Sequence, residues 1–90
     1  MKRIRVNISW CDKNYGASVG SEVPGAIVVT DKTLEGVKNA TKEAVSFHIE
    51  GMLADGDSVP VWLARGKYSF EWILDASALV HDGKRFVPLV

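Results

Sequence analysis

The chain has 90 residues, with eleven Lys and Arg against eleven Asp and Glu, and its estimated pI is 6.7. This length supports one domain with one modest core, and the balanced charge argues against long-range attraction to nucleic-acid phosphates. The single Cys11 excludes an intramolecular disulfide, and the sequence contains neither a secretion signal nor an apolar run of membrane-spanning length, so we expect a cytoplasmic protein.

Three strands are predicted in the first third of the chain. Apolar and polar residues alternate from Lys2 to Trp10, which is typical of a strand buried on one side. Turn-forming residues 12–14 connect it to residues 15–19, which we expect to return antiparallel as a hairpin. The apolar run 26–29 then predicts a third strand that a helix covers.

A long amphipathic helix is predicted next. Thr33 is the expected N-cap, and Gly36 stands where a capping box would place Glu or Gln. Gly51 offers an end to the helix, although the apolar pattern can continue to Ala54, before turn residues 55–57. At about 100° per residue, the stripe expected to face the core contains Leu34, Val37, Thr41, Ala44, Val45, His48 and Met52.

A fourth strand is predicted at 67–74, after a loop that contains the apolar residues 61–63. Residues 75–80 fit a single helical turn, and 82–84 fit a tight turn before the apolar end 86–90. The order β-β-β-α-β predicts an α+β domain in which one long helix covers one face of a mainly antiparallel sheet. The helix is long enough for a crossover, so the fourth strand can lie parallel to an earlier one.

No motif in the sequence indicates catalysis, because glycine-rich phosphate loops, GxSxG elbows, HExxH pairs and paired cysteines are all missing. Clustered carboxylates would suit a magnesium ion, but ordinary solvated helix and loop positions account for the acids better. We therefore predict no metal site and no cofactor. The acids considered for such a site are Asp12, Glu35, Glu43, Asp55 and Asp57.

Four residues are predicted to have structural roles. Pro24 and Gly25 form part of a polar, flexible connection, and Thr33 caps the helix. His48 lies in the apolar stripe, and we interpret it as a buried imidazole that hydrogen-bonds a sheet or loop group rather than as a ligand or catalytic group. His81, beside turn residues, is predicted to lie on the surface.

The predicted helix is acidic in its C-terminal half. Four acidic residues and no Lys or Arg occur from Glu43 to Asp57. A solvated face accounts for such a run, and so does a docking surface for a basic partner with an apolar anchor nearby. Trp62 either supplies that anchor or covers the helix end. The predicted contact residues are Glu43, Glu50, Asp55, Asp57 and Trp62.

Several short motifs together resemble the HicB antitoxins of bacterial and archaeal toxin–antitoxin pairs, in order and spacing over residues 2–80. They are Tyr15-Gly16-Ala17, Val23-Pro24-Gly25, Thr33-Leu34-Glu35-Gly36-Val37 with Ala40, Glu43-Ala44, Phe47-His48, and Asp55-Gly56-Asp57 with Pro60. The resemblance implies a partial RNase H-like fold over residues 1–80. It also implies binding to a small basic toxin, HicA, that cleaves mRNA and whose active histidine the antitoxin covers.

Many HicB proteins carry a C-terminal DNA-binding domain, whereas residues 81–90 predict only a tail here. DNA binding is therefore not expected of this chain alone. We predict a non-enzymatic antitoxin domain that forms a homo-oligomer. The alternatives are a metal-dependent RNase H-like nuclease and a dimerisation module that pairs through Phe86 to Val90.

Overall fold

Residues 1–82, which the computed structural model describes, form four strands and three helices. Their bounds are β1 Lys2–Cys11, β2 Asn14–Val19, β3 Val28–Asp31, α1 Leu34–Ala54, α2 Val61–Ala64, β4 Tyr68–Leu74 and α3 Ala76–Asp82. The predicted turn at 82–84 and apolar end at 86–90 lie outside the described residues, apart from Asp82, which closes α3.

The strands form one mixed sheet in the order β3-β2-β1-β4. β1 pairs antiparallel with β2, β2 pairs antiparallel with β3, and β4 lies parallel to β1. Asp12 and Lys13 join β1 to β2, and their φ angles are 52° and 73°. A two-residue hairpin turn has positive φ at both positions when its twist matches that of the strands. The predicted α+β class and the three antiparallel strands are confirmed, and the fourth strand, whose direction the sequence left open, lies parallel to β1.

One face of the sheet forms the core. Alternation along β1 buries Ile4, Val6 and Ile8 completely, and β2 adds Tyr15 and Ala17 to the same face. α1 packs over β2 and β3, while α3 packs against β1. The helix side of the sheet is therefore apolar, as the sequence predicts.

α1 covers the sheet with a slightly different stripe from the predicted one. Val37, Thr41, Val45, Ile49 and Met52 are its buried residues. The prediction missed Ile49, and it placed Leu34, Ala44 and His48 in the stripe, where they are only half-buried. The stripe is centred closer to Ile49 because the helix lies over β2 and β3 rather than over the middle of the sheet.

The end of α1 is fixed by Gly56. Its φ of +77° allows the N–H of Asp57 to donate to the Met52 carbonyl, at 2.9 Å, and its own N–H to donate to Leu53, at 3.2 Å. These two bonds form a Schellman motif, which satisfies the last carbonyls of the helix. The alternative end at Gly51 is wrong, because that glycine lies within the helix.

Three further bounds differ from prediction. β3 comprises residues 28–31 rather than the predicted 26–29. These are the four residues that pair with Tyr15 to Ser18 of β2. Residues 61–64 form the short helix α2, and α3 has two turns rather than one. α3 starts where the Asp75 carboxylate accepts from the N–H of Ala78, at 3.1 Å.

Candidate docking site

The connection between β2 and β3 is tied to the middle of α1. The Nε2 of His48 lies 2.6 Å from the carbonyl oxygen of Pro24. A carbonyl can only accept, so Nε2 carries the proton and donates. Gly25 has a φ of +94°, and a Cβ there would lie 2.8 Å from the same Nε2. The structure thus brings together three of the four predicted structural residues, with His48 half-buried and hydrogen-bonded to a loop group.

The start of α1 is anchored to the end of β3. The hydroxyl of Thr33 accepts from the N–H of Gly36 at 2.9 Å, as expected for the N-cap. The Asp31 carboxylate accepts from the backbone N–H of Thr33 at 3.0 Å, the role that Glu or Gln at position 36 has in a capping box. A Cβ on Gly36 would collide with this carboxylate, so a side chain at position 36 would displace Asp31 from the cap.

These two attachments hold β3 beside the C-terminal half of α1 and leave a groove of about 470 Å³ between them. Its lining is mostly apolar, and one of its side chains is unusually open, because Phe47 is 78% exposed. The lining residues are Ala26, Ile27, Val28, Val29, Ala44, Phe47, His48, Gly51, Met52, Asp55 and Asp57.

Two predicted contact residues, Asp55 and Asp57, lie at one end of this groove. Asp55 is the C-cap of α1, and Asp57 follows the αL glycine of the Schellman motif. Both are exposed at the negative end of the helix dipole, where cations are favoured and no basic residue occupies the last turn. The two ion pairs among residues 1–82, Arg3 with Glu71 and Arg5 with Glu22, leave these acids out. The groove therefore ends in concentrated negative charge.

Two more predicted contact residues lie on the outer face of α1. Glu43, Phe47 and Glu50 follow one another at helical spacings of four and three residues, so they share one exposed stripe. Phe47 belongs to the motifs that resemble HicB, but the charge pattern does not predict it as a contact. The signal that identifies Phe47 is an aromatic residue on the solvent-exposed side of an amphipathic helix.

Trp62, the remaining predicted contact residue, lies on a different surface. It is half-buried in α2 and meets Tyr68 edge to face, with ring centroids 6.3 Å apart. The row continues along β4 through Phe70 to Trp72, whose rings stack at 5.1 Å. The structure therefore gathers Asp55 and Asp57 at the groove and places Trp62 in the aromatic row of β4.

The opposite face of the sheet is polar. Arg5 Nε donates to Glu22 at 2.8 Å, and this hydrogen bond holds the pKa of Glu22 below its ordinary value and raises that of Arg5. On the core side of the sheet, at the far end of β1, His81 is exposed but stacks on Trp10, with ring centroids 3.4 Å apart. Neither of these contacts adjoins the groove lining.

Residues 1–82 contain no group of three or more His, Cys, Asp or Glu side chains arranged to hold a metal ion. None of the helices described in that range has the length and apolar character needed to cross a bilayer.

No protein-family model matches the chain, and no solved structure matches it. One stretch of 39 residues is 51% identical to an uncharacterized 14.9 kDa protein in the rep-hol intergenic region of Haemophilus phage HP1 (strain HP1c1). The match covers 43% of this chain and 29% of the phage protein, so the chain corresponds to under a third of that protein's length.

Proposed function

We propose that this chain is a non-enzymatic, cytoplasmic antitoxin domain of the HicB type, which binds and neutralises a small basic mRNA-cleaving toxin of the HicA type. The observation that carries the proposal is the groove between α1 and β3, which is apolar along its length and acidic at one end. The resemblance of the sequence motifs to HicB, together with the β-β-β-α-β order, supports it.

Electrostatics and apolar contact have separate roles in this proposal. The exposed acids Glu50, Asp55 and Asp57 attract a basic protein over several ångströms, which raises the association rate. Phe47 then supplies the large apolar contact that keeps the complex together, as buried aromatic anchors do in other interfaces. The long-range step depends on salt, and the short-range step depends on side-chain shape.

The test is co-expression of the chain with the short basic reading frame beside its gene. We expect the wild type to form a complex and to restore growth that the toxin alone arrests. Reversing the charge at Glu50, Asp55 and Asp57 to Lys should slow association about tenfold and flatten its dependence on salt, because steering is lost. Stopped-flow association at several ionic strengths measures both effects.

A matched pair of single variants provides the control. Glu35→Lys changes the net charge as much as Asp57→Lys does, but Glu35 lies in the first turn of the same helix. We expect Asp57→Lys to slow association more than Glu35→Lys. Equal association rates for Asp57→Lys and Glu35→Lys, or an unchanged association rate for the triple variant, would show that this surface does not bind the toxin.

Two results would contradict the function itself. Failure of the wild-type chain to bind or neutralise the basic protein would remove the antitoxin role. Cleavage of single-stranded RNA by the purified chain with added Mg²⁺ would instead support the metal-dependent nuclease alternative.

A further inference from the structure

The outer edge of β3 carries unpaired backbone groups. The N–H of Val19 donates to the carbonyl of Ile27 at 3.0 Å, across the antiparallel ladder of β2 and β3. Hydrogen-bonded pairs alternate with non-bonded pairs in such a ladder, so the N–H and C=O groups of Val28 and Thr30 point away from β2. Among residues 1–82, no strand pairs with this side of β3.

The groove lies directly along this edge. One wall is the chain from Ala26 to Val29, and the other is the face of α1 that presents Ala44, Phe47 and Gly51. α1 packs on β3, the edge strand, and Phe47 on the groove side of the helix is 78% exposed, so this side of the helix is left uncovered. A Cβ built on Gly51 would meet nothing within 4 Å, which leaves this wall open. The β3 edge thus has an open groove beside it, with α1 as the second wall.

We propose that an extended segment of the basic partner adds to the β3 edge as a fifth strand, in the groove between β3 and the Phe47 side of α1. This inference rests on the proposed function and specifies how the partner binds. Backbone hydrogen bonds to Val28 and Thr30 hold the segment, as in other cases of strand addition. Every second side chain of the segment faces α1 and is apolar, to match Phe47 and Ala44.

Charge sets the composition of one end of the segment. Asp55 and Asp57 line the groove beside the N-terminal end of β3, at the carboxyl end of α1. A Lys or Arg there gains both from the carboxylates and from the helix dipole. The partner segment therefore has alternating apolar residues and a cationic residue at the end that reaches these acids.

The first experiment uses defined peptides and the full chain labelled with ¹⁵N. One peptide alternates threonine and valine between two terminal lysines, so that either strand direction places a cation near Asp55 and Asp57. The control peptide has glutamate in place of both lysines. We expect the lysine peptide to bind about tenfold more tightly, because the glutamate peptide meets like charge. We also expect it to slow amide hydrogen exchange at Val28 and Thr30.

A pair of variants separates the backbone from the side chain. Val28 is the first residue of β3, a position where strands tolerate proline. Val28→Pro removes the outward N–H and should weaken binding of the lysine peptide about fivefold, the effect of one net hydrogen bond. Val28→Thr keeps the N–H and the branched shape, and should bind nearly as the wild type does. Circular dichroism checks that both variants fold.

Each remaining result has a definite meaning. Slow exchange at Val28 and Thr30 in the chain alone, equal binding by the two variants, or perturbation along β4 instead would overturn the strand-addition proposal. A toxin complex that leaves exchange at these amides unchanged would overturn it while leaving the antitoxin role intact. Binding of the lysine peptide with slowed exchange, but no complex with the toxin, would retain the docking mode and remove the antitoxin role.

Discussion

The two edges of the sheet are held in place by different kinds of contact. At the β3 edge the contacts are polar and directional: His48 bonds Pro24, Asp31 bonds Thr33, and Glu22 ties the preceding loop to β1. At the β4 edge they are apolar. There the aromatic row from Trp62 to Trp72 packs beside buried residues of α2 and α3.

Strand length explains this difference. β4 has seven residues and pairs with β1 along all of them, and its half-buried Tyr68, Phe70, Trp72 and Leu74 pack against the core. β3 has four residues, and only its Val29 packs against the core, so burial contributes less to its position. Hydrogen bonds of the preceding loop and of Asp31 help to place it, and the groove lies beside it. The edge with the smaller core is therefore the one with room for a partner.

The largest expected effect tests the apolar side. Leu63 of α2 is 1% exposed, so Leu63→Ala should lower the free energy of unfolding by about 2–5 kcal/mol through lost burial and a cavity. Leu63→Met conserves most of the volume and should cost less than about 1.5 kcal/mol. Urea unfolding of both variants measures this. Point substitutions lower the free energy of unfolding by about 1 kcal/mol on average. A smaller loss for Leu63→Ala would show that burial does not hold this side of the sheet.

The intermediate effect tests the polar side. Gly25 and Gly56 both have positive φ, but only at Gly25 would a Cβ meet another group, the imidazole of His48. We expect Gly56→Ala to cost about 1 kcal/mol for its backbone alone, and Gly25→Ala about 2–3 kcal/mol. Thermal unfolding gives the comparison. Equal losses would mean that the contact between the loop and His48 contributes nothing to placing β3.

The smallest effect is a pH dependence in the loop before β3. The hydrogen bond from Arg5 lowers the pKa of Glu22 in the folded chain below its ordinary value of 4.5. Its stabilising contribution is therefore present above that value and is lost as the pH falls through the lowered folded-state pKa. The wild type should unfold at a higher urea concentration than Glu22→Gln at about pH 6, but not at about pH 3. These two pH values lie on either side of the range in which Glu22 titrates.

Glu71→Gln is the control for this pH dependence. Its carboxylate lies 4.0 Å from Arg3, and both side chains are well exposed, so the pair contributes little. We expect the difference between wild type and Glu71→Gln to vary less with pH. A larger variation there than for Glu22→Gln would contradict the assignment.

Local patterns predicted most of the fold. Alternation in β1, the periodicity of α1 and the hydroxyl of Thr33 act over a few residues, so they can be found without knowing what lies opposite. The displaced β3 and the missed Ile49 both depend on a neighbouring element. The same limit explains the candidate site, because charge along the chain identified Asp55 and Asp57 but not the strand edge beside them.

By itself, the sequence determined an α+β chain with four strands, a capped amphipathic helix and an acidic stretch from Glu43 to Asp57, since each depends on the order of nearby residues. Only the tertiary structure decided that Trp62 joins the aromatic row of β4, that the Asp31 carboxylate occupies the space a side chain at position 36 would need, and that a groove runs along β3. These features depend on distances between segments remote in sequence, which are set by how the helix packs across the sheet.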